Sequence, residues 1–184
     1  MTVPPRCVVL VEGPSDAAVL DVLGRRLGLA TPEVEVVSMG GVTNIRTYLA
    51  TYDDLNVAGL CDGGEMRFFA RALRRRGHEV ETREDLAALG FFVCEDDLED
   101  ELIRALGADA VVDVVKREGE LALLHTFQQQ PAQRERSLHH QLHRFFGTKS
   151  GRKVRLAAAL AAEVALDRVP APLRGVLAFA HADV

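Results

Sequence analysis

Short apolar runs that stop at acidic residues constrain the fold of this chain more than any other feature. Residues 7–12 read CVVLVE, residues 57–61 read VAGLC just before Asp62, and residues 91–94 read FFVC just before an acidic segment. Uninterrupted apolar runs of this length that are rich in β-branched residues are typical of strands buried on both faces. The sequence therefore predicts a sheet covered on both sides.

Helical segments separate these strands. Further strands are predicted at residues 34–39 and 78–82, and helices are predicted from Ser15 or Asp16 to about Leu27, from Thr43 or Asn44 to about Tyr52, and up to Gly77. Such alternation predicts an α/β fold with a mainly parallel sheet flanked by helices. Beyond residue 95 the sequence looks helical. We therefore predict an α/β core over residues 1–106 and a helical C-terminal part over residues 107–184, packed together as a single domain.

Acidic residues fall where three of these strands end. In an open parallel sheet, ligands bind beyond the carboxyl ends of the strands, where Glu12, Asp62 and the acids at 95–97 are predicted to meet. Converging carboxylates raise one another's pKa unless a cation lies among them. Oxygen ligands alone favour Mg²⁺ or Mn²⁺ over zinc. The alternative is that each acid caps the following helix, which is strongest for Asp16 and Asp97.

Three segments together resemble the Toprim domain, and most closely the type found in OLD (overcoming lysogenization defect) family nucleases. They are VVLVEGPSDAAVL from residue 8, MGGVTNI from residue 39 and GLCDGGE from residue 59. The OLD type carries a VEG-x-x-D motif, which matches Glu12 and Asp16. It also carries a GG-x-x-N segment, which matches Gly40, Gly41 and Asn44, and a DLE segment, which matches Asp97 and Glu99. The resemblance implies a Toprim-like fold.

The resemblance also implies an activity, namely divalent-metal-dependent cleavage of phosphodiester bonds in DNA with two Mg²⁺ or Mn²⁺ ions. Candidate metal ligands are Glu12, Asp16, Asp62, Glu65, Asp97 and Glu99, with Glu12 also a candidate catalytic base. A late lysine of the OLD type, here Lys153 or Lys149, would contact the scissile phosphate. Candidate phosphate-binding or nucleic-acid-binding residues are Gly40, Gly41, Asn44 and Arg152.

One departure from the family pattern bears on catalysis. The second aspartate of the Asp-x-Asp pair falls at Gly64, and the neighbouring Glu65 is the candidate replacement. If Glu65 does not reach the site, the chain fits a non-catalytic metal-binding or DNA-binding module that partners a separate ATPase. A Toprim nuclease that processes RNA is a further alternative.

Charge is unevenly spread along this acidic chain, whose net charge is −5. Residues 130–155 hold seven bases against Glu135 alone, which favours either a phosphate-binding arm or an ordinary solvated face. His139 and His143 in the same stretch have the spacing of a metal-binding pair, but a solvated helical face is the favoured interpretation.

The sequence also gives expectations about partners and location. It has no Walker A motif, so we expect a free-standing Toprim protein that does not hydrolyse ATP itself. No run of 18 apolar residues indicates a membrane span, and the three cysteines lie in apolar runs as in reduced, cytoplasmic proteins. The apolar tail from residue 169 predicts either a last core helix or the contact of a homodimer.

Overall fold

A four-stranded parallel sheet forms the centre of the molecule. The computed structural model describes residues 4–149 and 151–182. Its strands are β1 (Cys7–Val11), β2 (Val34–Ser38), β3 (Asn56–Cys61) and β4 (Phe91–Val93). They pair in the order β2-β1-β3-β4, and every neighbouring pair is parallel. The predicted mainly parallel sheet is confirmed.

Helices make up most of the remaining described chain. They are α1 (Pro14–Arg26), α2 (Ile45–Thr51), α3 (Met66–Arg74), α4 (Arg83–Ala88), α5 (Leu98–Leu106), α6 (Ala108–Arg117), α7 (Leu121–Gln128), α8 (Pro131–Arg134), α9 (Leu138–Phe146), α10 (Arg152–Glu163) and α11 (Ala171–Ala180). Short 3₁₀ helices lie at Val42–Asn44, Gly63–Glu65 and Leu166–Arg168. The predicted helical C-terminal part is confirmed, while the boundary at residue 106 stays a prediction.

The two faces of the sheet have separate cores. Successive side chains of a strand point to opposite faces, so Val8 and Leu10 of β1 pack with α2, α3 and α4. Cys7, Val9 and Val11 pack on the other face, with α1 and the helices from α5 onward. All five of these side chains are buried, as the continuous apolar run predicts. The sheet therefore lies between a thin layer of three helices and a thicker layer built largely by the C-terminal half.

Two parts of the fold differ from, or extend, the sequence interpretation. Residues 78–82 form no strand; instead the Val80 carbonyl accepts a hydrogen bond from Nε of Arg74 at 2.7 Å, so a side chain takes the place of a neighbouring strand. The apolar tail forms α11, whose Leu173, Val176 and Leu177 are buried in the core.

No helix in the described part of the chain combines the length and apolarity that a membrane span requires.

Candidate metal centre

Three carboxylates meet where β1 and β3 end. β1 has β2 on one side and β3 on the other, so the chain changes direction across the sheet between β1 and β3, which is where open α/β sheets bind ligands. Glu12 follows β1, Asp62 follows β3, and Glu65 lies on the short 3₁₀ helix after Asp62. One oxygen from each lies within 4.8 Å of the others. We call Glu12, Asp62 and Glu65 the central cluster.

The central cluster forms no ion pair with a Lys, Arg or His side chain in the described part of the chain, although the charge of Lys153 acts on Glu65. Burial, and then the negative charges of the surrounding acids, raise the pKa of Asp62 to about 7. Burial and the neighbouring Glu12 carboxyl raise the pKa of Glu65 to about 7. Oε2 of Glu65 is buried and has no hydrogen-bond partner among the described residues. A buried carboxylate oxygen without a donor costs free energy, so this donor set fits an oxygen-binding cation such as Mg²⁺ or Mn²⁺.

A close approach of two loops brings further acids to this edge. The backbone N–H of Gly63 donates to the Asp96 carbonyl at 2.9 Å, which joins the loop after β3 to the loop after β4. A Cβ atom at position 63 would lie 2.1 Å from the Glu95 carbonyl oxygen, so a glycine is required there. Because the loops touch, the negative charge of Asp97 acts on Asp62 and helps to raise its pKa.

Asp16 stabilises the first turn of α1. Its Oδ2 accepts a hydrogen bond from the backbone N–H of Gly13 at 2.8 Å, so Asp16 supports the helix start as its third residue, while Gly13 is the N-cap. Burial raises the pKa of Asp16, and the charge of Glu12 adds to this effect while Lys153 opposes it. Asp16 therefore borders the central cluster, with one oxygen bound to the protein backbone.

The acids at the start of α5 have partners within the protein. We call Asp97, Glu99 and Asp100 the flanking acids. Asp97 caps α5 by accepting from the Asp100 backbone N–H at 2.9 Å, and its other oxygen lies 2.6 Å from Nε2 of His143. Oε2 of Glu99 lies 2.9 Å from Nζ of Lys153, and Oδ1 of Asp100 lies 2.5 Å from Nε2 of His139.

Electrostatics separates Asp97 from the central cluster. Burial alone would raise the pKa of Asp97. Hydrogen bonds from His143 and from the Asp100 amide outweigh burial and lower this pKa. The same contact with Asp97 raises the pKa of His143. His139 and His143 thus each contact a different acid of α5. Within the described residues, the central cluster is the one group of three or more His, Cys, Asp or Glu side chains close enough to share an ion.

The predicted phosphate contacts at the glycine turn after β2 are engaged in other ways. The Gly41 amide donates to the Glu12 carbonyl at 3.2 Å, and Nδ2 of Asn44 donates to the Met39 carbonyl at 2.9 Å. Gly40 and Gly41 have φ values of 66° and 127°, which glycine adopts without strain. This turn therefore holds the backbone of Glu12 in place, and Gly41 and Asn44 each donate a hydrogen bond within the protein.

Of the predicted basic residues, the structure brings Lys153 to the site. Partial burial alone would lower the pKa of Lys153. The contact with Glu99 at 2.9 Å and the charges of Asp16 and Asp62 raise it instead. Lys149 is exposed and lines a separate surface depression with residues of α7.

Arg152 requires a correction. Its guanidinium group is buried, forms an ion pair with Glu120 and lies 4.1 Å from the ring centre of Phe145. A buried and paired guanidinium group is not available to a phosphate, so Arg152 stabilises the packing of α10 against the preceding helices.

Sequence reasoning missed the partners of the flanking acids. The spacing of His139 and His143 was visible, but these residues lie 39 and 46 positions from Asp100 and Asp97. No local pattern connects residues so far apart. A helix that begins with three acids and a later helix with two histidines on one face were the available signals.

Comparisons with known proteins bear on this geometry. The family model described as overcoming lysogenization defect protein-like, TOPRIM domain, matches residues 5–61, which include the VEGPSD and GG-x-x-N segments and end just before Asp62. The C-terminal region of the Xanthomonas campestris pv. campestris OLD protein, phased with mercury, is 25% identical with a TM-score of 0.69, over 97% of this chain and 95% of that one.

A second solved structure has the same fold. The C-terminal region of the Burkholderia pseudomallei OLD protein is 22% identical with a TM-score of 0.68, over 96% of each chain. No match was found among curated proteins. The resemblance to the OLD-type Toprim domain is confirmed, and with it the Toprim-like α/β fold.

Proposed function

We propose that this Toprim-like chain is a divalent-metal-dependent nuclease that cleaves phosphodiester bonds in DNA. The observation that carries the proposal is the central cluster, in which Glu12, Asp62 and Glu65 converge without an ion-pair partner among the described residues. The similarity to OLD proteins supports it, because the matched segments include Glu12 and its loop.

In this proposal the central cluster holds the first ion, Mg²⁺ or Mn²⁺. The donor set consists of carboxylate oxygens, which these hard cations prefer, and the buried Oε2 of Glu65 lacks any other partner in the described structure. A cation bound there stabilises negative charge on phosphate oxygens and lowers the pKa of a bound water. In this proposal Glu65 supplies the carboxylate that the second aspartate of the Asp-x-Asp pair would supply at position 64, where this chain has a glycine.

The neighbouring groups complete the proposed chemistry. Glu12 accepts the proton of the attacking water, since its carboxylate borders the site from the β1 side. Lys153 stabilises the negative charge that develops on the phosphate. Its side chain is 46% exposed while Glu99 is 3% exposed, so the ammonium group can contact both the buried acid and a ligand outside.

The second ion of the proposed pair depends on Asp16, Asp97 and Glu99. Each of these acids has a partner in the protein. Asp16 binds the Gly13 amide, Asp97 binds His143 and the Asp100 amide, and Glu99 binds Lys153. Oε1 of Glu99, however, is buried and has no hydrogen-bond partner among the described residues. Glu99 can therefore offer that oxygen to a second ion while Oε2 keeps Lys153, whose positive charge disfavours a cation nearby. We accordingly propose that the second ion binds more weakly than the first.

One observation favours a second candidate function, a non-catalytic Toprim module that binds metal and DNA and partners a separate ATPase. The flanking acids are engaged by His139, His143 and Lys153, and position 64 carries no carboxylate. A site with one usable ion would bind a phosphate backbone without cleaving it efficiently.

A nicking assay on supercoiled plasmid with Mg²⁺ or Mn²⁺ separates these functions. We expect wild type to produce open circles, and Glu12→Gln and Asp62→Asn each to lower the rate by about 100-fold or more, as for loss of a ligand that stabilises the transition state. Asp96→Asn, at an exposed acid on the same edge, is the matched control.

Two results would point elsewhere. Equal nicking by all variants would exclude the central cluster as the catalytic site. Bound Mn²⁺ and bound DNA without any nicking would identify the non-catalytic module. A parallel reaction with a labelled RNA strand of the same sequence reveals whether RNA is the preferred substrate.

A further inference from the structure

An arginine face lies beside the central cluster on the thin helical layer. α3 buries Phe69, Ala70, Ala72 and Leu73 against the sheet. Arg67, Arg71 and Arg75 recur at every fourth position, and all three are exposed, as is Arg46 of the adjacent α2. We call Arg46, Arg67, Arg71 and Arg75 the arginine face.

The arginine face forms no ion pair in the part of the chain that the structure describes. Neither α2 nor α3 contains an aspartate or a glutamate. Within the described residues, none of the four arginines forms an ion pair, whereas Arg76 at the end of the same segment pairs with Asp53. Four unpaired guanidinium groups on a chain of net charge −5 repel one another, and a polyanion would relieve that repulsion.

Helix stability does not explain the placement of these arginines. Cations are favourable near the C-terminal end of a helix, which accounts for Arg75. Arg46 and Arg67 are instead the second residues of α2 and α3, where the helix dipole disfavours a cation. Their position therefore points to a ligand rather than to stabilisation of the fold.

The arginine face forms a shallow groove with donors suited to phosphates. A depression of about 420 Å³ between α2 and α3 is lined by Arg46, Arg71 and Arg75 together with Thr43 and Thr47. Guanidinium groups bind phosphate oxygens through two parallel hydrogen bonds, and threonine hydroxyls add further donors. The Arg67 guanidinium lies 5.0 Å from the ring centre of Phe68, which restrains its position.

The groove lies on segments that adjoin the central cluster along the chain. α3 begins at Met66, directly after Glu65, and Thr43 lies two residues after Gly41, whose amide binds the Glu12 carbonyl. From Arg67 to Arg75 the helix rises about 12 Å, at roughly 1.5 Å per residue. This length matches about three to four nucleotides of one DNA strand, at roughly 3.4 Å each.

We propose that the arginine face binds the phosphate backbone of DNA and directs one strand to the central cluster. This inference rests on the proposed nuclease function. It differs from the expectation that residues 130–155 bind phosphate. In that stretch Arg152 and Arg155 pair with Glu120, and Lys153 pairs with Glu99, so fewer of its bases are available.

The test compares two variants with the same change in charge. One is Arg46→Gln/Arg67→Gln/Arg71→Gln/Arg75→Gln, and the matched control is Arg134→Gln/Arg136→Gln/Arg144→Gln/Lys149→Gln. Binding of a fluorescein-labelled DNA duplex is measured by anisotropy in EDTA at several salt concentrations. We expect the arginine-face variant to bind at least about 30-fold more weakly than wild type. The slope of log K against log salt should be smaller in magnitude by up to about 3.6, since each of the four lost phosphate contacts removes about 0.9.

Other outcomes are equally informative. If the control loses more affinity than the arginine-face variant, the proposal is overturned and residues 130–155 carry the phosphate contacts. Equal binding by both variants and wild type also overturns it. Circular dichroism verifies folding, and the pair Arg67→Gln/Arg71→Gln replaces the quadruple variant if the latter does not fold, with an expected loss of about fivefold.

Nicking assays keep this proposal distinct from the proposed function. Asp62→Asn should bind the duplex as well as wild type while nicking is lost. If wild-type protein never nicks DNA but the arginine-face variant still loses binding, the DNA-binding surface stands and the nuclease function fails.

Discussion

The central cluster and the flanking acids lie at the same edge of the sheet and consist of the same chemical group, yet only the flanking acids each contact a basic side chain within the described residues. Within the described residues neither Asp62 nor Glu65 forms an ion pair, and their pKa values are raised to about 7 although the charge of Lys153 opposes the rise at Glu65. Asp97 pairs with His143, and its pKa is lowered. Carboxylates at strand ends are therefore not equivalent.

The difference teaches what each set does. The flanking acids connect α5 to α9 and α10, because each contacts a basic side chain from the C-terminal half. They hold the thick helical layer against the sheet edge. The central cluster makes no comparable contact, so its mutual repulsion is a stability cost that an external cation would remove. Each experiment below changes one set and compares it with the other.

Mn²⁺ should stabilise the protein through the central cluster, and this is the largest effect expected. At 100 times its Kd, a ligand that binds the folded state alone adds about 2.7 kcal/mol, or roughly 5–10 °C in Tm for a chain of this size. Asp62→Asn should abolish this gain in thermal unfolding experiments. Asp100→Asn in the flanking acids should keep the stabilisation by Mn²⁺. If Asp100→Asn lost this stabilisation while Asp62→Asn kept it, the ion would be bound by the flanking acids rather than by the central cluster.

Removal of Lys153 should destabilise the flanking region. Lys153→Met leaves the buried Glu99 without its ion-pair partner, and we expect a loss of about 2 kcal/mol, reduced from the value for fully buried pairs because Lys153 is half-exposed. Chemical denaturation measures this loss. Glu99→Gln/Lys153→Met should recover about half of it.

The matched control for that experiment is Lys116→Met, an exposed lysine of α6. It should change the free energy of unfolding by less than about 0.5 kcal/mol. Equal effects of the two single substitutions would show that the contact between Lys153 and Glu99 contributes nothing to stability.

The central cluster should make the metal-free protein less stable as pH rises. The folded Asp62 and Glu65 keep their protons up to about pH 7, whereas in the unfolded chain they lose them near pH 4. Between these values the folded state binds more protons, so each pH increase lowers its stability. The raised pKa of His143 acts in the same direction, because its contact with Asp97 weakens as it deprotonates.

Thermal unfolding in EDTA between pH 5.5 and 8.5 measures this dependence. Asp62→Asn should raise the stability at pH 8 by about 1 kcal/mol and flatten the curve, since an amide has no charge to desolvate. His143→Asn separates the histidine contribution. An unchanged slope in Asp62→Asn would mean that this carboxyl is ionised in the folded protein at pH 6.

A carboxylate added at position 64 should give the smallest effect. A Cβ atom there meets no other atom within 4 Å, and Gly64 is not among the glycines with positive φ, so Gly64→Asp should fold normally. We expect it to lower metal-free stability by about 0.5 kcal/mol and to tighten Mn²⁺ binding by about threefold. Isothermal titration with Mn²⁺ checks this. Unchanged affinity would indicate that position 64 faces away from the ion.

The central cluster could be predicted from the sequence to a greater extent than the contacts of the flanking acids. Glu12 and Asp62 could be placed together because each follows a buried strand, and parallel strands end at one edge. The parallel sheet itself followed from the same pattern. Glu65 was foreseen as a replacement at position 64 because it is near Asp62 in sequence.

Contacts between distant helices could not be foreseen. The pairing of Asp97 with His143, and of Glu99 with Lys153, depends on how α9 and α10 pack on α5, which periodicity does not determine. Arg152 was assigned to phosphate binding because its neighbours in sequence are basic. Its burial against Glu120, 32 positions away, follows from tertiary packing alone.

Anomalous diffraction from crystals soaked in Mn²⁺ tests the central claim most directly. The account predicts a first anomalous peak between Glu12, Asp62 and Glu65, with carboxylate oxygens at about 2.1–2.2 Å, close to the value for Mg²⁺. The flanking acids should keep their contacts with His143 and Lys153 at low Mn²⁺. A peak at Asp97 and Glu99 with none at the central cluster would contradict it.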